Sequence, residues 1–221
     1  MFGTRSFCPH CKRVIAWYDL IPVFSWFFLL GKCRSCKEPI SFLYPFIELL
    51  TVIIFLTFWF IIPHYHIAYF FLFSALLVTI RTDLETMLIS RYVTVFLIPL
   101  GMFFAAFGFL PITLLSSIFG AVLGYGSLWA ASKLFYLLTG KEGIGQGDLE
   151  LLAFIGSFIG AAGCWVSLFL GAIIGSVFGL IYITCSGKSK EVRIPFGPFL
   201  AFGAILYVLF QNQLLFFLFG L

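Results

Sequence analysis

The chain has 221 residues, of which 62% are hydrophobic and only 10% are charged, and its mean hydropathy is +1.12. This composition excludes a soluble enzyme, and it also excludes a disordered chain, which would be poor in apolar residues and rich in charge. One membrane crossing needs about 20 apolar residues, so the sequence predicts an all-α, polytopic membrane protein. We expect no nucleic-acid partner. In a membrane protein the net charge of +4 is less informative than the side of the membrane on which the basic residues lie.

The first 41 residues form a polar stretch that differs from the rest of the chain. This stretch holds six of the 13 Lys and Arg residues and four of the six cysteines. It lacks the uninterrupted apolar core and small-residue cleavage site of a signal peptide. We therefore predict two domains, a small amino-terminal module over residues 1–41 and a transmembrane domain over residues 42–221.

Apolar runs separated by short breaks follow the module. Seven such segments cover residues 42–62, 67–86, 92–110, 112–138, 149–161, 164–185 and 196–219. The fifth has only 13 residues, so we expect it to form a shallow hairpin with the sixth. We expect membrane lipid to be a partner of the chain as a whole. Glycines at four-residue spacing, such as Gly120 with Gly124 and Gly156 with Gly160, predict close helix packing.

The basic residues indicate the orientation in the membrane. If the segments alternate in direction, every Lys and Arg falls on one side, in residues 1–41, 81–91, 133–148 and 186–195. The connections on the other side hold none. By the positive-inside rule, the module and these three connections face the cytoplasm.

Two C-x-x-C pairs, separated by 21 residues, are formed by Cys8, Cys11, Cys33 and Cys36. Such pairs supply four thiolates for a tetrahedral structural zinc site, and a module of about 40 residues has too small a core to fold without a staple. Two disulfides are the alternative, which a reducing cytosol disfavours. We interpret His10 as a surface residue, and Cys164 and Cys185 as packing residues in apolar helices.

Two aspartates lie where apolar segments meet the predicted cytoplasmic face. Asp148 follows Gly145-Gln146-Gly147 and opens an apolar run, so we expect it at the amino terminus of a helix, where an anion is favoured. Asp83 lies at the inner end of another segment. Two carboxylates that share a proton can act as acid and base, one taking a proton from water while the other polarises a carbonyl. The pattern predicts an aspartic peptidase with Asp83 and Asp148 as its catalytic residues.

The sequence offers no competing nucleophile system on that face. His64 and His66 fall on the opposite side of the membrane and are interpreted as loop residues, so a Ser-His or Cys-His enzyme lacks its base. We expect Glu85 and Glu150 to matter less than the aspartates.

These residues and several shorter motifs, taken in their order, resemble the bacterial type IV prepilin peptidase family. The further motifs are Trp17-Tyr18-Asp19-Leu20-Ile21-Pro22, Gly31-Lys32-Cys33, Tyr44-Pro45 with Glu48, and Ile194-Pro195-Phe196-Gly197-Pro198-Phe199. The resemblance implies an aspartic endopeptidase of the bacterial inner membrane that cuts the basic leader of prepilins or type II secretion pseudopilins at the cytoplasmic face, between Gly and Phe. It implies catalytic roles for Asp83 and Asp148. It also implies possible methylation of the new amino terminus from S-adenosylmethionine.

Three features depart from the family pattern. The family has one more transmembrane helix before the cysteine module, whereas Met1 lies only seven residues ahead of Cys8. Glu150 stands where the family has Lys, and we expect a shifted pH optimum if it lies near Asp148. Ile89-Ser90 replaces an Ile-Pro, which should leave that connection less rigid.

Two other functional classes remain open from the sequence. A catalytically inactive assembly factor could use the zinc module to dock pilus or secretion proteins, but it would need no aspartate pair. A transporter would need charges near the middle of the bilayer and repeated halves. Glu48 does not meet that need, because it lies only about 9 Å from the inner end of its segment.

Overall fold

The structure, a computed structural model, describes residues 6–61, 64–141, 143–186 and 195–219. Within these ranges the chain is predominantly helical and contains no strand, only two isolated antiparallel bridges. The chain divides into two compact units, Met1–Pro63 and His64–Leu221. The sequence suggested a boundary after residue 41 from composition alone, which falls inside the first unit.

The first unit begins with two turns that carry the cysteine pairs. A 3₁₀ turn, Trp17–Leu20, and a short helix α1, Phe24–Phe28, connect them, and the long helix α2, Leu43–Ile61, follows. The Trp26 indole N–H donates to the Ile40 carbonyl at 3.0 Å, and the Trp26 ring meets the Phe42 ring edge-on. These contacts join the turns to the start of α2.

The second unit is a bundle of six helices within the described residues. They are α3 (His66–Thr86), α4 (Arg91–Ala106), α5 (Leu114–Thr139), α6 (Gln146–Ser186), α7 (Gly197–Leu209) and α8 (Gln211–Phe219). Three helical stretches are long and apolar enough to cross a membrane, namely His66–Thr86, Leu114–Thr139 and Gln146–Cys185. The chain is a membrane protein. The seven predicted segments stay a prediction, because α2, α4 and α7 contain only shorter apolar stretches.

Helix α6 is broken at Gly160, where φ is 73° and ψ is −176°. A side chain at this φ would be strained, which explains the glycine. Cys164 Sγ lies 4.0 Å from the Leu152 carbonyl oxygen, although residues 12 apart in a straight helix are about 18 Å apart. The chain therefore reverses at the break, and α6 consists of a first arm, residues 146–159, and a second arm, residues 161–186. The predicted hairpin of the fifth and sixth segments lies here.

The first arm of α6 is the centre of the bundle. Residues 149–160 are all buried, so this arm contacts protein rather than lipid along most of its length. A Cβ added at Gly120 of α5 would lie 2.2 Å from the Gly156 oxygen, which shows how closely the two backbones approach. The Ser117 hydroxyl donates to the Ser157 carbonyl at 2.6 Å across the same contact. Small residues and one hydrogen bond thus fix α5 against the first arm.

The last predicted segment, residues 196–219, is two helices rather than one. Helix α7 ends at Leu209, and α8 begins at Gln211. At Phe210 the backbone leaves the helical region, with φ −123° and ψ 30°. The polar side chains of Gln211, Asn212 and Gln213 interrupt the apolar run at this break.

Candidate functional site

Asp83 and Asp148 line one cavity of about 320 Å³. Asp83 lies in the last turn of α3 and is buried, whereas Asp148 is in the first turn of α6. The two carboxylates are close enough to interact electrostatically. The structure therefore brings together the two aspartates that the sequence singled out, from positions 65 residues apart.

A backbone group of α7 completes the surroundings of Asp83. The Gly197 N–H donates to Asp83 Oδ2 at 3.1 Å. A Cβ at position 197 would lie 2.7 Å from the same oxygen, so only glycine permits this approach without a shift. No sequence pattern indicates this contact directly, because Asp83 and Gly197 are 114 residues apart.

The glycines before Asp148 shape the start of α6. The Asp148 N–H donates to the Gly145 carbonyl at 3.1 Å. A Cβ at Gly145 would lie 3.3 Å from Asp148 Oδ2, so the turn holds the backbone beside the carboxylate. This aspartate lies at the amino terminus of a helix, as predicted, where unpaired N–H groups favour a negative charge.

A third carboxylate, Glu150, lines the same cavity and is buried. Its Oε1 lies 2.9 Å from Arg91 Nε in an ion pair and accepts a hydrogen bond from Gln146 Nε2 at 3.2 Å. Its Oε2 has no hydrogen-bond partner. The sequence suggested that Glu150 could lie near Asp148, but nothing in it indicated the pairing with Arg91.

The remaining predicted polar residues of the bundle lie apart from this cavity. Glu85 is exposed and pairs with Arg81 one turn earlier on α3. His66 begins α3, at the opposite end of that helix from Asp83. Among the described residues that line the cavity, none is a histidine, serine or cysteine, so the carboxylates are the groups able to act as acid or base there.

In the first unit, the Sγ atoms of the four predicted ligands all lie within 4.8 Å of one another. The four cysteines are free thiols, and Cys8 Sγ is 3.9 Å from Cys36 Sγ. Zinc–sulfur bonds of about 2.3 Å in a tetrahedron place the sulfurs about 3.8 Å apart, so the cluster has the dimensions of a zinc site. His10 lies outside the cluster and is 3.9 Å from Glu38 on the exposed surface.

The two cysteine turns have the same backbone pattern. Lys12 N–H donates to the Cys8 carbonyl, and Lys37 N–H donates to the Cys33 carbonyl, at 2.9 and 3.0 Å. Both lysines have positive φ, 56° and 61°. Backbone N–H groups of Cys36 and Ser35 lower the pKa of the Cys33 thiol to about 6, which favours a thiolate ligand. This equivalence was missed, although Lys follows the second cysteine in both turns.

Asp19 and Arg34 link the segment between the turns to the second turn. Arg34 Nε and Nη2 donate to the two Asp19 carboxylate oxygens at 2.8 and 2.7 Å. The hydrogen bonds from Arg34 hold the pKa of Asp19 below its usual value. The Arg34 guanidinium also lies 5.3 Å from the centre of the Tyr18 ring.

A larger cavity, of about 730 Å³, lies within the first unit. Aromatic rings and carboxylates line it, including those of Tyr18, Trp26, Tyr44, Asp19 and Glu48. Glu48 Oε2 accepts the Val23 N–H at 2.7 Å, which joins α2 to the start of α1. The sequence singled out Tyr44 and Glu48 only through the family resemblance, not as cavity residues.

Comparison with known proteins gives matches along almost the whole chain. Residues 1–62 match the family described as bacterial peptidase A24 N-terminal domain, and residues 70–184 match the type IV leader peptidase family.

Similar curated proteins are named prepilin leader peptidase/N-methyltransferase. The protein from Aeromonas hydrophila is 35% identical over 212 residues, which are 95% of this chain and 73% of that protein. The protein from Dichelobacter nodosus is 39% identical over 214 residues, covering 95% and 72%, and that from Legionella pneumophila is 32% identical over 221 residues, covering 97% and 75%. No solved structure matches the chain.

Proposed function

The chain belongs to the type IV leader peptidase family and cleaves prepilin leader peptides, and we propose that Asp83 and Asp148 are the acid–base pair that performs the cleavage. One observation carries this assignment: both carboxylates line a single cavity, although they come from the end of α3 and the start of α6. The third carboxylate of the cavity, Glu150, is instead paired with Arg91.

The chemistry follows from two carboxylates that share one proton. The ionised aspartate takes a proton from a water molecule, and the water oxygen attacks the carbonyl carbon of the scissile peptide bond. The protonated aspartate donates to the carbonyl oxygen, which stabilises the developing negative charge. Collapse of the tetrahedral intermediate breaks the C–N bond, and the leaving amine receives the proton taken from water. The Gly197 N–H orients the Asp83 carboxylate throughout by its hydrogen bond.

We place this site at the cytoplasmic face of the bacterial inner membrane. The ends of α3, α4 and α5 that carry Arg81, Arg91 and Lys133 are the ends predicted to face the cytoplasm, and Asp83 and Asp148 lie at that level of the bundle. Residues 187–194, which include three further basic residues, lie outside the described residues. The substrates would be prepilins or type II secretion pseudopilins, whose basic leaders are made in the cytoplasm.

The four cysteines of the first unit would hold one structural zinc ion. The support is their mutual separation, within 4.8 Å. In a module of this size, the bound metal would supply much of the free energy of folding.

A second activity, methylation of the new amino terminus, is supported by the large cavity of the first unit. Its volume of about 730 Å³ is in the range of small-molecule sites. S-adenosylmethionine supplies a methyl group on a sulfonium cation. The rings of Tyr18 and Trp26 and the carboxylate of Glu48 would line its site, whereas the Asp19 carboxylate is already paired with Arg34.

Incubation of the detergent-purified protein with a prepilin peptide that contains a Gly-Phe junction tests both activities. Mass spectrometry should show cleavage at the junction, and added S-adenosylmethionine should add one methyl group to the new amino terminus. Asp83→Asn and Asp148→Asn should each abolish cleavage, because an amide cannot take a proton from water. Glu85→Gln, which removes an exposed carboxylate two residues from Asp83, is the matched control and should cleave normally.

Full activity of either Asn variant would contradict the proposed pair. Absence of cleavage by the unmodified protein, with the peptide still bound, would instead favour the assembly factor that the sequence left open.

A further inference from the structure

The ion pair between Arg91 and Glu150 links two segments that line the aspartate cavity. Asp83 near the end of α3 is joined through residues 84–90 to Arg91, the first residue of α4. Arg91 Nε lies 2.9 Å from Glu150 Oε1, and Glu150 is two residues after Asp148. The ion pair therefore connects the segment that follows Asp83 to the helix that carries Asp148.

The two partners differ greatly in exposure. The Arg91 side chain is 68% exposed, whereas the Glu150 side chain is 5% exposed. One Glu150 oxygen pairs with Arg91 and accepts a hydrogen bond from Gln146, and the other oxygen has no hydrogen-bond partner. A buried carboxylate depends strongly on its cation, while an exposed guanidinium can be solvated by water. Loss of the ion pair would therefore destabilise the Glu150 charge more than the Arg91 charge.

The short connection between α3 and α4, residues 87–90, forms one wall of the cavity through Met87, Leu88 and Ile89. Within it, Ile89 lies between two helix starts. A Cβ at Gly147 would be 2.9 Å from Ile89 Cβ, and a Cβ at Gly197 would be 3.1 Å from Ile89 Cδ1. This wall is therefore packed against the helices that supply Asp148 and the N–H donor to Asp83.

Glu150 is unsuited to a direct part in the chemistry. Although Glu150 lines the same cavity as Asp148, its Oε1 is already engaged by the Arg91 guanidinium and the Gln146 amide. Among the described residues, only the four cysteines bring metal-ligating atoms together, so the three carboxylates do not form a cation site. The remaining role for Glu150 is to hold the helix end.

We propose that Arg91 and Glu150 are positioning residues, and that their ion pair fixes the separation of Asp83 and Asp148 by clamping the 87–90 wall to the start of α6. This inference rests on the proposed roles of the two aspartates. A misplacement of about 1 Å in a catalytic group can lower a rate about a hundredfold, so the clamp should act on kcat rather than on substrate binding.

The double variant Arg91→Gln/Glu150→Gln is the central test, because it removes the ion pair without leaving a buried charge. We expect its kcat for cleavage of a Gly-Phe prepilin peptide to fall about ten- to a hundredfold, with KM within about twofold of the unmodified value. Arg91→Gln alone should lose at least as much, since it leaves Glu150 buried without its cation. Arg91→Lys keeps the charge and should restore kcat to within about threefold.

Glu85→Gln serves as the control, because it breaks an exposed ion pair within α3 and should leave kcat within about twofold. A double variant with the unmodified kcat would overturn the clamp, and so would a loss of activity explained entirely by a smaller folded fraction. If the unmodified protein does not cleave the peptide, the proposed function fails rather than the clamp. If Arg91→Gln does not fold, the double variant still decides the question, because it carries no unpaired charge.

Discussion

The four-cysteine cluster and the aspartate cavity both gather polar groups from distant parts of the sequence, but they do so by different means. In the first unit, two short turns with the same backbone pattern present four thiols within 4.8 Å. In the second unit, the aspartates come from helix ends that are held by close backbone packing and by one N–H donor. The first arrangement depends on a metal ion that the four thiols would bind together. The second depends on how closely the helices approach one another.

This difference predicts that the two sites fail separately. Loss of the shared ligand should unfold the cysteine module and leave the helices of the second unit in place. Loss of a close approach between helices should instead disturb the cavity or the bundle while the thiols stay clustered.

The largest effect should come from Cys33→Ser, since structural zinc binding is worth about 10–16 kcal/mol in small modules. We expect one zinc per chain in the unmodified protein, and loss of protease resistance in residues 6–41 when a chelator or this variant removes it. Metal analysis and limited proteolysis make the measurement. Cys185→Ser, which changes an exposed cysteine outside the cluster, should change neither result. Near-zero zinc under reducing conditions, with the module still resistant, would contradict the zinc site.

A smaller but still large effect should follow from Gly120→Ala, because the added Cβ would lie 2.2 Å from the Gly156 oxygen. We expect a loss of about 2–3 kcal/mol in the free energy of unfolding in detergent. Gly126→Ala is the matched control, since a Cβ there has no neighbour within 4 Å, and it should be neutral or slightly stabilising. Equal stability of the two variants would show that close packing of α5 on α6 is unimportant.

Gly197→Ala should affect catalysis more than stability. The added Cβ would lie 2.7 Å from Asp83 Oδ2, so the carboxylate must move or lose its N–H donor. We expect the cleavage rate to fall about tenfold or more, with a smaller change in unfolding free energy than in Gly120→Ala. An unchanged cleavage rate in Gly197→Ala would show that the contact between Gly197 and Asp83 is not needed for catalysis.

The smallest effect should come from Glu85→Gln. Its ion pair with Arg81 is exposed, and such pairs contribute about 0–1 kcal/mol. Thermal unfolding should therefore change little, and the cleavage rate should stay within about twofold. A large loss of activity would mean that the site extends beyond the described cavity.

The sequence predicted those features that depend on spacing or on local composition. Two C-x-x-C pairs identify four candidate ligands because the spacing itself forms the turns, and apolar runs identify most of the helices. The predominantly helical architecture and the family are confirmed. The shortest predicted segment is the most buried one. It lies among other helices, so it does not need the length that a helix exposed to lipid would need.

Features that depend on packing between distant residues could not be predicted. The contact of Gly197 with Asp83 and the pairing of Arg91 with Glu150 join residues far apart in the chain, and no local pattern marks either one. The break between the fifth and sixth segments was predicted at residues 162–163, and the structure has it at Gly160, because glycines at four-residue spacing do not show which one takes the positive φ. The end of α7 could have been found from the three amide side chains at residues 211–213.

The most direct test of the aspartate pair is a double-mutant cycle on the rate of prepilin peptide cleavage. The rate is measured for the unmodified protein, Asp83→Asn, Asp148→Asn and the double variant, each checked for folding in detergent. We predict that each single change lowers the rate about a thousandfold or more, and that the double variant loses no more than the worse single variant, because the two residues act as one unit. A single variant within about tenfold of the unmodified rate, or a double variant whose loss equals the product of the two single losses, would contradict the pair.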